Sequence, residues 1–423
     1  MKKNIVALCI AILLFIPVIL QAQVIATGPK PNPHVNYGRL KKIDTLVNDY
    51  IKKKWVTGVV TIVVKDNQLI QYKGYGYSDY ETKKAMENNA IFRIASQTKA
   101  LTTTGILILY EQGKLRLDEP ISSFIPSFKK PVVLDKYNAS DTTFTTVPAK
   151  REITFRDLLT QTSGIDYAEI GSDKMKAIYS KAKIPSGLGD IKANLLDRMT
   201  QLGKLPLLFQ PGERWQYGLN TDLLGCLIEV ISGKNLQEFL TQNIFEPLGM
   251  KDTYFNVPAS KAKRLASVYT EDSLHHIIKW EKDFRGISPD YPLTKKTYFS
   301  GGAGLSSTAF DYAVFLQMLL NGGVYNGHEI LSRRTVEIMT SPQLDFLFNG
   351  IDNFSLGFDI TSEKNANMNA RNKNTFAWGG YFGTTYWADP KDNLIVLIMT
   401  QQTPNSHGEL AGIIETLVYA SLK

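Results

Sequence analysis

The chain has 423 residues, 43% hydrophobic and 21% charged, with 31 glycines, 18 prolines and two cysteines. This composition supplies a large core and excludes a disordered, collagen-like or disulfide-stapled protein. The formal net charge of +8 comes from scattered lysines and arginines, with no basic tract interleaved with aromatics, so nucleic-acid binding has no footprint and the basic residues read as a solvated face.

At the start, Lys2 and Lys3 precede an apolar run from Ile5 to Leu20 that Pro17 interrupts, and small Ala22 precedes Gln23. The run is short for a membrane span, which needs ~20 residues, and has the layout of a secretory signal. The expectation is a signal over 1–22, a leader over 23–37, and an exported protein, periplasmic or extracellular, without a stable membrane span once the signal is cleaved. Cys9 would leave with the signal, so Cys226, inside the apolar stretch Leu223 to Ile231, would be a single buried thiol with no disulfide partner.

Leu40, Ile43, Leu46, Val47, Tyr50 and Ile51 recur at helical spacing and predict an amphipathic helix over 38–54. Two β-rich runs, Gly58 to Lys65 and Gln68 to Tyr77, flank Asp66-Asn67 and predict a tight antiparallel hairpin. Near the other end, the runs Phe376 to Ala388 and Leu394 to Thr400 flank a turn-rich stretch, 389–393, and 408–422 reads as a helix. The middle reads as mostly helical with long loops, including 128–150 and 256–298. The expected architecture is α+β: one antiparallel sheet of five strands or slightly more, built from both ends, with flanking helices and a mostly helical insertion. A cleft between the two parts is the expected place for a site.

Ser96-Gln97-Thr98-Lys99 has Ser-x-x-Lys spacing, and on a helix residues three apart share a face, so the hydroxyl and the amine meet. A serine hydroxyl attacks well only once a base takes its proton, and a lysine whose environment favours the free amine can do so. The same tetrad occurs from Ser127 to Lys130, Ser180 to Lys183 and Ser260 to Lys263, in polar or loop-like stretches. Only Ser96 follows Phe92-Arg93-Ile94-Ala95 and precedes a Leu- and Ile-rich run to Tyr110 that stops at Gly113. That context predicts a buried helix with Ser96 near its N-terminus, where free N–H groups favour a developing oxyanion.

The segment Phe92 to Lys99 resembles the nucleophile segment of the serine β-lactamase and penicillin-binding-protein superfamily, in its class C-like esterase branch. Further stretches resemble that branch in the same order: Ile153 to Gly164, Pro211 to Gly225, Ile244 to Phe255, Gly301 to Asp311 and Trp378 to Pro390. The resemblance covers residues 38–422 and implies one β-lactamase/transpeptidase-like domain, with a sheet lobe over 38–95 and 300–422 and a helical lobe over 96–299. It also implies that Tyr217 works with Lys99 to deprotonate Ser96 and later to activate water. The second motif often ends in Asn, but Tyr217-Gly218-Leu219 ends in Leu, and the role is not carried over to Asn220. Tyr254-Phe255-Asn256 matches Tyr-x-Asn literally but lies in a stretch that reads as a structural turn.

The third motif is usually Lys-Thr-Gly or a His variant; here its strand carries Trp378-Gly379-Gly380. A tryptophan cannot hold a substrate carboxylate by charge, so an apolar Trp378 wall suits an uncharged ester or acyl group. Gly379 and Gly380 would let the backbone approach substrate, and by resemblance the N–H of Tyr381 joins that of Ser96 in an oxyanion hole. The chain has no Gly-x-Ser-x-Gly or His-Glu-x-x-His, His275-His276 reads as a loop pair, and Ser163 reads as a turn residue, so neither a His-based triad nor a metal or other cofactor is expected. The expected activity is esterase or amide hydrolase on small substrates through an acyl-enzyme on Ser96. The alternatives are a β-lactamase or D-alanyl-D-alanine carboxypeptidase, and a non-catalytic sensor of cell-wall peptides or penicillin.

Overall fold

In β1 (Gly58–Lys65) every residue is buried, and its side chains divide by the strand's period of two. Val60, Ile62 and Val64 join the large core beneath the helical part, whereas Val59 and Val63 join a second core on the opposite face. The strand pairs antiparallel with β2 (Gln68–Asp79). Asp66 and Asn67 between them have φ of 53° and 60°, the left-handed pair that a two-residue hairpin with native twist requires. The computed structural model describes residues 24–28, 30–281, 286–347 and 350–423. The expected signal, with Lys2, Lys3 and Cys9, lies outside the described residues.

The sheet is larger than the sequence predicts. To β1, β2 and β3 (Lys84–Ala85) are added β4 (Leu344–Leu347), β5 (Asp352–Phe354), β6 (Asp359–Ile360), β7 (Phe376–Gly380), β8 (Thr384–Asp389) and β9 (Leu394–Met399), in the spatial order β4-β5-β6-β7-β8-β9-β1-β2-β3. Every named pairing is antiparallel. Strands of two to four residues carry too little alternation to be read as strands, which is why five or slightly more were expected and nine are found among the described residues. The run from Phe376 to Ala388 is two strands with a turn at 381–383, so Tyr381 sits in a hairpin turn. A loop was also expected over 128–150; that stretch instead contains the hairpin Val132–Asn138 with Thr143–Pro148. The hairpin's second strand is exposed throughout and offers no buried face to signal it.

Helix α1 (Lys42–Lys52) lays Ile43, Val47 and Tyr50 on one sheet face beside Ile414 and Val418 of the C-terminal helix. On the opposite face packs α4 (Ala309–Leu320), and the 14-residue helix α2 (Thr98–Glu111) and α3 (Asn220–Ser232), packed on each other, share one continuous apolar core with it. α2 is buried from Thr98 to Leu109, its Lys99 and threonines included. α2 therefore has little freedom to move, and its N-terminus is a fixed platform. No helix among the described residues is long and apolar enough to cross a membrane.

Candidate active site

The chain enters α2 through a strained turn. Phe92–Arg93 pairs with Ser306–Ser307, and the buried Arg93 guanidinium donates to the carbonyls of Pro289 (2.6 Å) and Ala266 (2.7 Å) and to Gln401 Oε1 (3.1 Å). Burial lowers its affinity for a proton to a pKa of about 10, still leaving a cation at neutral pH. Ala95 has φ of 40°, a conformation that residues with a Cβ seldom adopt. The next carbonyl, that of Gln97, accepts from Tyr312 Oη at 2.8 Å, and the Thr98 hydroxyl accepts from the Leu305 amide at 3.1 Å. Held on both sides, the turn lifts one side chain out of the core: from Ala90 to Leu109 every residue is buried except Ser96.

Lys99 is 3% exposed. Its Nζ lies 3.4 Å from Ser96 Oγ, donates to Tyr167 Oη and to the Gly302 carbonyl at 2.9 Å each, and stands 4.5 Å from the centre of the Tyr217 ring. The Ser96 contact is long for a hydrogen bond, as catalytic contacts often are before substrate closes the site. The Tyr167 phenol is raised well above its usual range, first by burial and then by the Tyr217 and Asp222 charges, so it stays protonated. The rings of Tyr167 and Tyr217 are 5.2 Å apart.

Tyr217 is backed by an aromatic cluster: Trp378 at 5.6 Å, Trp215 at 6.0 Å, and Phe354 touching both tryptophans at 5.7 Å. The segment carrying Tyr217 is fixed by Gln161, whose side-chain oxygen accepts from the Gly218 amide (3.0 Å) and from Asn220 Nδ2 (2.7 Å). Asn220 is therefore engaged in holding the backbone and bonds to the Ser163 hydroxyl as well. Gly380 is forced to be glycine by the protein itself, since a Cβ there would lie 2.3 Å from the Ile94 carbonyl oxygen. This close approach docks β7 against the turn that carries Ser96.

The cleft at Ser96 is lined by Ala95, Tyr167, Ile170, Leu188, Ala303 and Tyr381, with Ser186 and Glu169 among them. No lysine or arginine among the described residues joins that lining. The structure thus brings Ser96, Lys99, Tyr217, Trp378, Gly379, Gly380 and Tyr381 into one region. Sequence reasoning missed Tyr167, three residues beyond a quoted segment, and did not single out Gly302, which lies inside one.

The competing candidates fall elsewhere. Lys130, Lys183 and Lys263 are exposed, and Tyr254 bonds to the Lys251 carbonyl in its own turn. Ser406, His275 and Glu271 meet at the surface, but His275 Nδ1 faces both partners, so the ring cannot pass a proton between its two nitrogens along that set. No cluster of histidine, cysteine or acidic residues suited to a metal occurs among the described residues.

Comparison with known proteins places the chain in a family. Residues 43–418 match the family model described as Beta-lactamase. An uncharacterized protein of Mycobacterium tuberculosis is 32% identical over 367 residues, 83% of this chain and 87% of the relative. Esterase EstB of Burkholderia gladioli is 24% identical over 392 residues, 90% of this chain and 95% of that one. Among solved structures, EstCE1, described as a hydrolase with promiscuous acyltransferase activity, has a TM-score of 0.79 at 24% identity, covering 90% of this chain and 99% of its own. That last likeness is one of fold.

Proposed function

The chain belongs to the beta-lactamase family, and we propose that within it the protein is a serine hydrolase that cleaves small uncharged esters or amides through an acyl-enzyme on Ser96. The observation that carries this reading is the pairing of Ser96 with Lys99 at 3.4 Å on a rigid helix start, facing a mainly apolar cleft without a lining cation.

In acylation the Ser96 proton passes to the Lys99–Tyr217 pair while Oγ bonds to the substrate carbonyl carbon. The C–O or C–N bond then breaks as the leaving group takes that proton. A water gives its proton to the same pair, attacks the ester carbon and releases the acid, returning the proton to Ser96. Tyr167 and the Gly302 carbonyl orient Lys99 throughout. The N–H groups of Ser96 and Tyr381 are the donors we assign to the oxyanion, each being worth ~3 kcal/mol in comparable sites.

The missing cation is what sets this reading apart from a β-lactamase or a D-alanyl-D-alanine carboxypeptidase, whose substrates carry a carboxylate needing a countercharge. We further read residues 1–22 as an export signal, which the N-terminal sequence of the mature protein tests directly.

The test of the activity is the hydrolysis of p-nitrophenyl acetate by the full chain beside Ser96→Ala. Turnover by the wild type alone supports the reading; equal activity in both removes Ser96 from the chemistry, and nitrocefin turnover without ester turnover transfers the assignment to β-lactams.

A further inference from the structure

The acyl-transfer steps leave one buried charge near Ser96 unused. Asp222, the third residue of α3, is fully buried, and neither carboxylate oxygen meets a donor at full hydrogen-bonding geometry among the described residues. Such a group is costly to ionise unless a cation compensates it. Its location explains how. A Cβ placed on Gly302 would be 2.4 Å from Asp222 Oδ2 and 3.4 Å from Lys99 Nζ. The carboxylate and the ammonium thus converge on one glycine, whose carbonyl already holds Lys99 at 2.9 Å.

The groups facing Asp222 come from four directions. Lys99 approaches from α2 and Tyr167 from the loop beyond Gly164, Tyr298 and Ser300 lie on the segment leading to Gly302, and Cys226 is one turn along α3. Arg198, on Leu195–Leu202, acts on Tyr298 behind them. Burial pushes the Tyr167 and Tyr298 phenols and the Cys226 thiol well up, so all three stay neutral. Burial also raises the Asp222 carboxyl to about 6, with the Ser300 hydroxyl, the Lys99 charge and the Gly302 amide opposing it. Above that value the group is a carboxylate, and Lys99 is the cation whose charge acts on it.

We propose that Asp222 is a positioning residue of this site: its carboxylate is the buried countercharge of Lys99, and it sets the pH at which the Ser96 hydroxyl can be activated. The inference rests on the assignment of Ser96 and Lys99 made above. Its sign does not depend on which group is the base. A free Lys99 amine and a Tyr217 phenolate beside an ammonium each carry one proton fewer than the resting site, and a nearby negative charge disfavours both. Removing that charge makes the activating deprotonation easier. Asp222 thereby trades activity at low pH for a lysine held in place without water around it.

The experiment is the pH profile of kcat/KM for p-nitrophenyl acetate in wild type and Asp222→Asn. The expected result is an acid limb displaced to lower pH in the variant by about one to two units, the size of a through-protein charge interaction over a few ångströms. A limb that stays in place overturns the proposal even if the rate falls, because a merely structural role lowers the rate without moving the profile. Should Asp222→Asn fail to fold, the infrared spectrum of Lys99→Met against wild type decides instead. With its cation gone, Asp222 takes up a proton and a buried carboxylic acid carbonyl band appears at neutral pH; unchanged spectra overturn the proposal. If wild type turns over no ester at any pH, the Ser96 reading has failed, and the infrared comparison still decides whether Asp222 answers to Lys99.

Discussion

Tyr167 Oη and Lys99 Nζ are 2.9 Å apart, and this contact divides the work between the two tyrosines of the site. Tyr167 is held neutral by burial and anchors the lysine, whereas Tyr217 presents its ring to Nζ at 4.5 Å and remains the candidate to share the proton. Tyr217→Phe should therefore lower kcat on p-nitrophenyl acetate by about 10²–10⁴. Tyr167→Phe should cost only about 10–100-fold, the size of one charge-assisted hydrogen bond. Steady-state kinetics on the two variants checks the order, and a larger loss in Tyr167→Phe reverses the assignment.

Trp378 packs on Tyr217 at 5.6 Å and on Phe354 at 5.7 Å, so it backs the ring proposed to share the proton. Trp378→Ala should lower kcat and reduce stability by about 1–2 kcal/mol, while Trp378→Phe keeps most of both because an aromatic face remains. Equal damage from the two substitutions would mean that the indole acts through something other than aromatic packing.

Arg93 ties the turn that carries Ser96 to three acceptors distant in sequence, with no carboxylate partner among the described residues. Arg93→Met fills much of the volume but leaves the Pro289 and Ala266 carbonyls without the guanidinium, while Gln401 Oε1 keeps the Arg93 amide at 3.0 Å, which should cost about 3 kcal/mol. Urea denaturation followed by tryptophan fluorescence measures it; a change under about 0.5 kcal/mol would show that the guanidinium is not needed.

Asp359, on β6, is pushed up to about 7 by burial and by the neighbouring Asp352, with Arg371 opposing, and its Oδ1 has no hydrogen-bond partner among the described residues. A carboxyl raised in the folded state favours folding at low pH, and that benefit is lost as pH rises from the ordinary carboxyl range through the raised value. Asp359→Asn removes the penalty, so it should be more stable than wild type at pH 8 by about 1–3 kcal/mol and nearly equal to it near pH 4. Denaturation midpoints at both values test this, and a larger gap at low pH contradicts it.

What was legible in the sequence was local. The hairpin of β1 and β2 showed itself because Asp66-Asn67 is a two-residue turn between long apolar runs, and α1 because Ile43, Val47 and Tyr50 share one face. Ser96 and Lys99 were legible for the same reason, since residues three apart share a face where the 3-10 turn Ala95–Gln97 runs into α2. Tyr217, Trp378 and Tyr381 carry no such signal and were found only through the ordered resemblance of their segments. Tyr167, Gly302 and Asp222 come from three separate stretches, and nothing in their spacing says that all three close around one ammonium. The short strands β4 to β6 and the exposed hairpin over 132–148 were illegible because they lack a sustained alternation of buried and exposed residues.

The central claim is that Ser96 forms a covalent acyl-type bond. The most direct measurement treats the folded full chain and Ser96→Ala with a fluorophosphonate and locates the adduct by peptide mass. One adduct, on Ser96, is expected in the wild type and none in the variant. Labelling of Ser127, Ser180 or Ser260, or equal labelling of the variant, would contradict it.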